Sequence, residues 1–142
     1  TRVERRTLLS AVLLIVAICH GLSALAPNFW TLLAARVAML AAAAVYTPQA
    51  ANAVALLVPP ERRAGSISFV FLGWSVAVAA GLPGISLSAQ HIGWREVHAI
   101  CALVTFAAAV LNHLSLRPGL LGEPLSLQSW LAVARNPLML LL

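Results

Sequence analysis

The stretch LLSAVLLIVAICHGLSALA, Leu8–Ala26, carries no formal charge and no proline. That reading decides the fold, because a helix of roughly 20 residues crosses a hydrocarbon core about 30 Å thick. Three further stretches repeat the pattern: Phe29–Val58, Ile67–Gln90 and Val97–Leu116. Across all four the only formal charge is Arg36. Lipid offers backbone N–H and C=O groups no partner, so each span must be a helix. The expected fold is all-α: a polytopic membrane protein with four transmembrane helices over residues 8–26, 29–58, 67–90 and 97–116.

Composition agrees. Hydrophobic residues make up 61% of the 142-residue chain and charged residues 9%, against about 25% charged in a soluble domain. A net charge of +5 would suit nucleic acid, but the basic residues form no stripe and nearly all sit between spans, so the expected partner is the lipid bilayer and not nucleic acid. All nine basic residues are Arg, and there is no Asp. The four carboxylates, Glu4, Glu61, Glu96 and Glu123, lie outside the spans. A Ser–His–Asp set is therefore impossible. No helix carries metal-ligand spacing and no phosphate-binding glycine loop is present, so neither an enzyme, a metal nor a cofactor is expected. Cys19 and Cys101 fall within spans and read as small core residues.

Short breaks separate the spans. Pro27-Asn28 makes a tight hairpin flanked by Trp30, which suits an interfacial anchor. Pro59-Pro60 ends the second span, and Glu61-Arg62-Arg63 follows. Trp94-Arg95-Glu96 marks the third break. Arg2, Arg5, Arg6, Arg62, Arg63, Arg117 and Arg135 share one side, and only Arg95, balanced by Glu96, lies on the other. Arginine excess marks the cytoplasmic side, so residues 1–7, 59–66 and 117–136 are expected there. Residues 118–136 read as a central loop, with Ser126–Arg135 as a short surface helix. Residues 137–142 read as the start of another span. Both ends read as cut, so a fragment of a longer protein is expected.

Three sets of residues could carry chemistry. Arg36 lies about two turns into the second span, where a charge costs at least about 2.5–3.5 kcal/mol on insertion scales. Either it snorkels to the outer surface, or it faces a cavity and holds an anionic group or tunes a proton-binding acid. Tyr46, Thr47, Gln49 and Asn52 surround Pro48 and suit a substrate passage, or else plain interhelical hydrogen bonding. Gly73, Ala77 and Gly81 recur every four residues and let a second helix approach closely. Beside them, Gly81-Leu82-Pro83-Gly84 should bend the helix and free a carbonyl, as a pivot or as tolerated packing. His20, His98 and His113 are isolated along the sequence and read as interfacial or satisfied core residues.

In order and spacing these residues resemble part of a major facilitator superfamily transporter, in its bacterial sugar-efflux and drug:proton antiporter branch. Arg2-Val3-Glu4-Arg5-Arg6 resembles the end of the D-R-x-x-R-R loop before the third helix, making Arg2, Arg5 and Arg6 the cytoplasmic loop motif. Leu33-Ala34-Ala35-Arg36-Val37 resembles the helix-four motif whose Arg is linked to proton coupling. Val58-Pro59-Pro60-Glu61-Arg62-Arg63-Ala64 resembles the following loop. Gly81-Leu82-Pro83-Gly84 with Gly93-Trp94-Arg95 resembles the antiporter motif of helix five, to which Gly73 and Ala77 add their face. The resemblance implies helices three to six, and the start of seven, of a twelve-helix fold in a bacterial inner membrane. It implies proton-coupled efflux of a small organic solute by alternating access. The remaining helices, and the titrating acid that coupling requires, would lie outside this chain. The competing reading is a membrane scaffold or subunit without transport of its own.

Overall fold

The computed structural model describes residues 4–119. Arg2, residues 120–136 of the expected loop and its surface helix, and residues 137–142 lie outside them. Within this range the chain is a series of helices: α1 (Arg5–Ala24), α2 (Phe29–Leu57), α3 (Pro60–Val76), a π-helical turn (Ala77–Gly81), α4 (Leu82–Ile92) and α5 (Trp94–Ser115). α3, the π turn and α4 form one continuous span, Pro60–Ile92, so four helices are long and apolar enough to cross a membrane.

The helices run further than the apolar stretches. The third begins at Pro60 rather than Ile67, the fourth at Trp94 rather than Val97 and the first at Arg5 rather than Leu8. Charge sets where a helix leaves the membrane, not where it stops being a helix. Pro60 occupies the first helical turn of α3, where its missing N–H has no intrahelical partner to lose. Glu61 stands in that turn and complements the helix dipole. The breaks accordingly shrink to Val58-Pro59 and to Gly93.

The connections at Asn28 and Gly93 each have a local cause. Asn28 caps α2: its Oδ1 accepts from the Thr31 N–H at 3.0 Å, satisfying one of the free amides of the first turn. Gly93 joins α4 to α5 with φ 95° and ψ 155°, a region essentially reserved for glycine. A Cβ built there would stand 2.6 Å from Glu96 Oε2. The Arg95 guanidinium lies over the Trp94 ring, 4.5 Å from its centroid, and donates to the Ala26 carbonyl at 2.9 Å. That bond fastens the α1–α2 hairpin to α5.

α1 is the central helix, packed against both α2 and α5. Its Leu9, Val12, Ala17, Cys19 and Ser23 are buried. Small Ala35, Ala42 and Ala53 give α2 its buried seam. Contacts between the α1 and α5 sides pair Glu4 with Gly119, Ser10 with Asn112, His20 with His98 and Ala26 with Arg95. One number falls as the other rises, as antiparallel neighbours require. The Pro60–Ile92 span meets α5 through α4 and α2 through α3, and none of its residues is buried.

Candidate functional site

The parts of α1, α2 and α5 nearest Asn28 and Gly93 bring three polar side chains into one chain of contacts. Arg36 Nη2 lies 2.6 Å from His98 Nε2. His98 Nδ1 lies 3.3 Å from His20 Nδ1. The imidazole rings stand 5.5 Å apart at 34°, and Trp94 meets His98 edge-on at 6.0 Å. All three polar residues are half-buried. The two histidines match in depth, each about 6 Å from the near end of its helix at 1.5 Å per residue, and Arg36 lies about 10 Å along α2, within reach of a long side chain.

Chemistry fixes the direction of this chain. A guanidinium only donates, so His98 Nε2 accepts and that ring's proton sits on Nδ1. His98 Nδ1–H then donates to His20 Nδ1, leaving the His20 proton on Nε2. The cation is solvated by a neutral imidazole; no carboxylate hydrogen-bonds to any of the three among the described residues. Along the sequence Arg36 stands out as a charge in an apolar run, whereas His20 and His98 lie 78 residues apart. The signal was available in their shared depth, which separation along the chain conceals.

The other expected residues fall in several places. Tyr46 and Gln49 lie on the seam of Ala42 and Ala53, half-buried, and Gln49 Oε1 is buried with no hydrogen-bond partner among the described residues. Thr47 shares the meridian of Arg36, about 20° away after eleven residues, whereas Asn52 is exposed and about 160° round the helix. The polar group on α2 is thus spread over several faces. Gly73 and Ala77 are exposed. Gly81 and Gly84, with Ser88, line a cavity of about 240 Å³ against Val97, Ile100 and Cys101 of α5. Just before Pro83, the Leu82 N–H reaches back five residues to the Ala77 carbonyl. Pro83 has no N–H for the Ala79 carbonyl and its ring would crowd it; the wider π turn relieves that conflict.

At the opposite end of the bundle, Glu4 accepts from the Gly119 N–H at 2.9 Å and from Thr7 Oγ1 at 3.0 Å. The Gly119 amide, then Thr7, hold its carboxyl below the usual carboxylate range. Arg5 and Arg6 each keep a buried Nε without a partner among the described residues.

A charged side chain linked by hydrogen bonds across three apolar helices makes this cluster the candidate site, and the family can now be set beside it. The model of the Major Facilitator Superfamily matches residues 1–142. The chain belongs to the Major Facilitator Superfamily. Among its relatives in that superfamily, a "Probable sugar efflux transporter" of Pasteurella multocida (strain Pm70) is 32% identical over 110 residues, covering 78% of this chain and 27% of the relative. A protein of the same name from Haemophilus influenzae (strain PittGG) is 30% identical over 138 residues, 96% of this chain and 35% of the relative. The "Uncharacterized MFS-type transporter YtbD" of Bacillus subtilis (strain 168) is 31% identical over 109 residues, 77% and 28% respectively. The chain thus spans about a third of the length of these curated relatives. No solved structure matches it.

Proposed function

We propose that this chain forms part of a secondary active transporter of a bacterial inner membrane, exporting a small organic solute, a sugar or drug-like molecule, in exchange for protons. The match of the whole chain to the superfamily carries the transporter reading, and the names of its sugar-efflux relatives suggest the direction and the solute class. Further helices would complete a two-half fold with the solute bound between halves and alternating access by rocking. Arg36 would couple proton movement to the conformational change. Tyr46, Thr47, Gln49 and Asn52 would border the solute path, and the bend at Gly81–Gly84, with Gly73 and Ala77 beneath it, would serve as its pivot. Arg2, Arg5 and Arg6 would lie in a cytoplasmic motif, and residues 1–7, 59–66 and 117–136 on the cytoplasmic side.

The test uses the full protein in inverted membrane vesicles with an acidified lumen and radiolabelled hexoses and disaccharides. The expected result is sugar accumulation that a protonophore abolishes. Arg36→Ala should lose that accumulation while inserting normally. Accumulation at the wild-type rate by the variant would return Arg36 to snorkelling.

A further inference from the structure

We propose that His20 and His98 form a proton-binding site whose occupancy makes or breaks the side-chain hydrogen bond joining α1 to α5. This deepens the proton-coupled reading above and rests on it for its role in transport. The four apolar stretches hold no carboxylate, Glu61 and Glu96 standing in the first turns of their helices, so a proton carried within those stretches needs another base. Imidazole is the side chain suited to that near neutral pH.

The argument is a count of lone pairs. Two neutral imidazoles offer two unprotonated ring nitrogens. One, His98 Nε2, already accepts from Arg36. The other, His20 Nδ1, already accepts from His98. An incoming proton must therefore take a nitrogen that is holding a helix contact. At His98 Nε2 it would create an imidazolium facing the Arg36 guanidinium, like charge against like charge at 2.6 Å. At His20 Nδ1 the new charge is one ring further from the guanidinium. The proton goes to His20 Nδ1. The His20 ring then has two N–H groups and no lone pair for His98, so this α1–α5 hydrogen bond opens. Loss of the proton restores the acceptor and the contact. The net step is one proton bound or released, with the N–H bond at His20 Nδ1 the only covalent change.

The surrounding groups leave this pair to itself. On α1 the neighbouring titratable side chain is Cys19, which is buried. On α2 it is Arg36. On α5, Arg95 is turned to Trp94 and the Ala26 carbonyl, Glu96 lies close over Gly93 at the head of the helix, and Cys101 follows one turn on. On α4, packed against α5, it is His91, which is exposed. His20 therefore takes its proton without a carboxylate to neutralise it, and the contact responds to proton activity on the outer side.

The test is 15N NMR of the full protein, histidine-labelled, in lipid nanodiscs, with His20→Asn and His98→Asn each assigning its ring's signals by their loss. In alkaline buffer the expected spectrum has one unprotonated nitrogen per ring, Nε2 of His98 and Nδ1 of His20. On acidification the His20 Nδ1 signal should move to the protonated position, and the His98 Nδ1–H signal should shift in step. His20→Asn keeps an acceptor for His98 but cannot take the proton; there the step at His98 should be lost and proton-driven export should fall at least tenfold. A proton on His98 Nε2 in alkaline buffer, or His20 titrating with no response at His98, would overturn the site. So would wild-type export by His20→Asn. Linked shifts in a protein that shows no proton-driven export would uphold the site and refute the transport reading instead.

Discussion

Gly93 carries the whole turn between two spans on one residue. Its φ of 95° with ψ 155° lies where non-glycine residues cost of order 1–3 kcal/mol, and a Cβ would meet the Glu96 carboxylate at 2.6 Å. Gly93→Ala should lower stability by about that amount, seen as a reduced unfolding midpoint in detergent. Gly65→Ala, where a Cβ meets nothing within 4 Å, should not. Glu4 makes a second prediction at this scale. A carboxyl held below its unfolded value stabilises the folded state above that unfolded value and loses the contribution as pH falls through the folded one. The Gly119 amide resonance should therefore hold steady at neutral pH and move only below the ordinary glutamate range, near about 4.3. In Glu4→Gln that acid-range movement should vanish. Arg36 was legible as a residue because a charge in hydrocarbon stands out. His20 and His98 were not, because nothing along the chain joins residues 78 positions apart; only helix pairing brings them level.

The elements themselves were written plainly. Four apolar runs gave four spans, and Asn28, Pro60 and Gly93 begin or end helices for reasons visible in their side chains. Their limits were less legible, since the charged turn Glu61-Arg62-Arg63 is helical though not apolar. Pro83 reads as a helix-bending residue; the structure places a π turn, Ala77–Gly81, just before it. The distinction lies in where the displaced hydrogen bond goes, which the sequence does not specify. Pro83→Ala restores an N–H for the Ala79 carbonyl. The third span should then close into regular α-helix, with unfolding temperature unchanged or raised and solute export reduced. Backbone 13C shifts across Ala77–Gly84 would report the closure, and persistence of the π pattern in the variant would show that another contact imposes it. Pro48 serves as the comparison: α2 runs through it unbroken.

At the scale of the molecule, covering and charge tell one story. Phe69 is 76% exposed and Trp74 65%, on a span with no buried residue, so lipid or other protein must cover a face this apolar. The antiparallel order of the helices gathers Glu4, Arg5, Arg6, Arg62, Arg63 and Arg117 at one end of the bundle and Asn28, Trp30, Trp94 and Arg95 at the other. Five arginines among the described residues, Arg5, Arg6, Arg62, Arg63 and Arg117, would have to cross the bilayer for the opposite orientation, and arginine-rich ends stay cytoplasmic. The orientation can be read directly. With Cys19 and Cys101 replaced by alanine, Asn28→Cys should react with a membrane-impermeant maleimide on intact cells. Ala64→Cys should react only after permeabilisation, because the start of α3 lies at the opposite end of α2. Labelling of both positions from outside would break the four-span alternation. Reversed labelling would keep the alternation and place Arg36, His20 and His98 near the cytoplasm, where they would meet protons on the wrong side of the gradient for export.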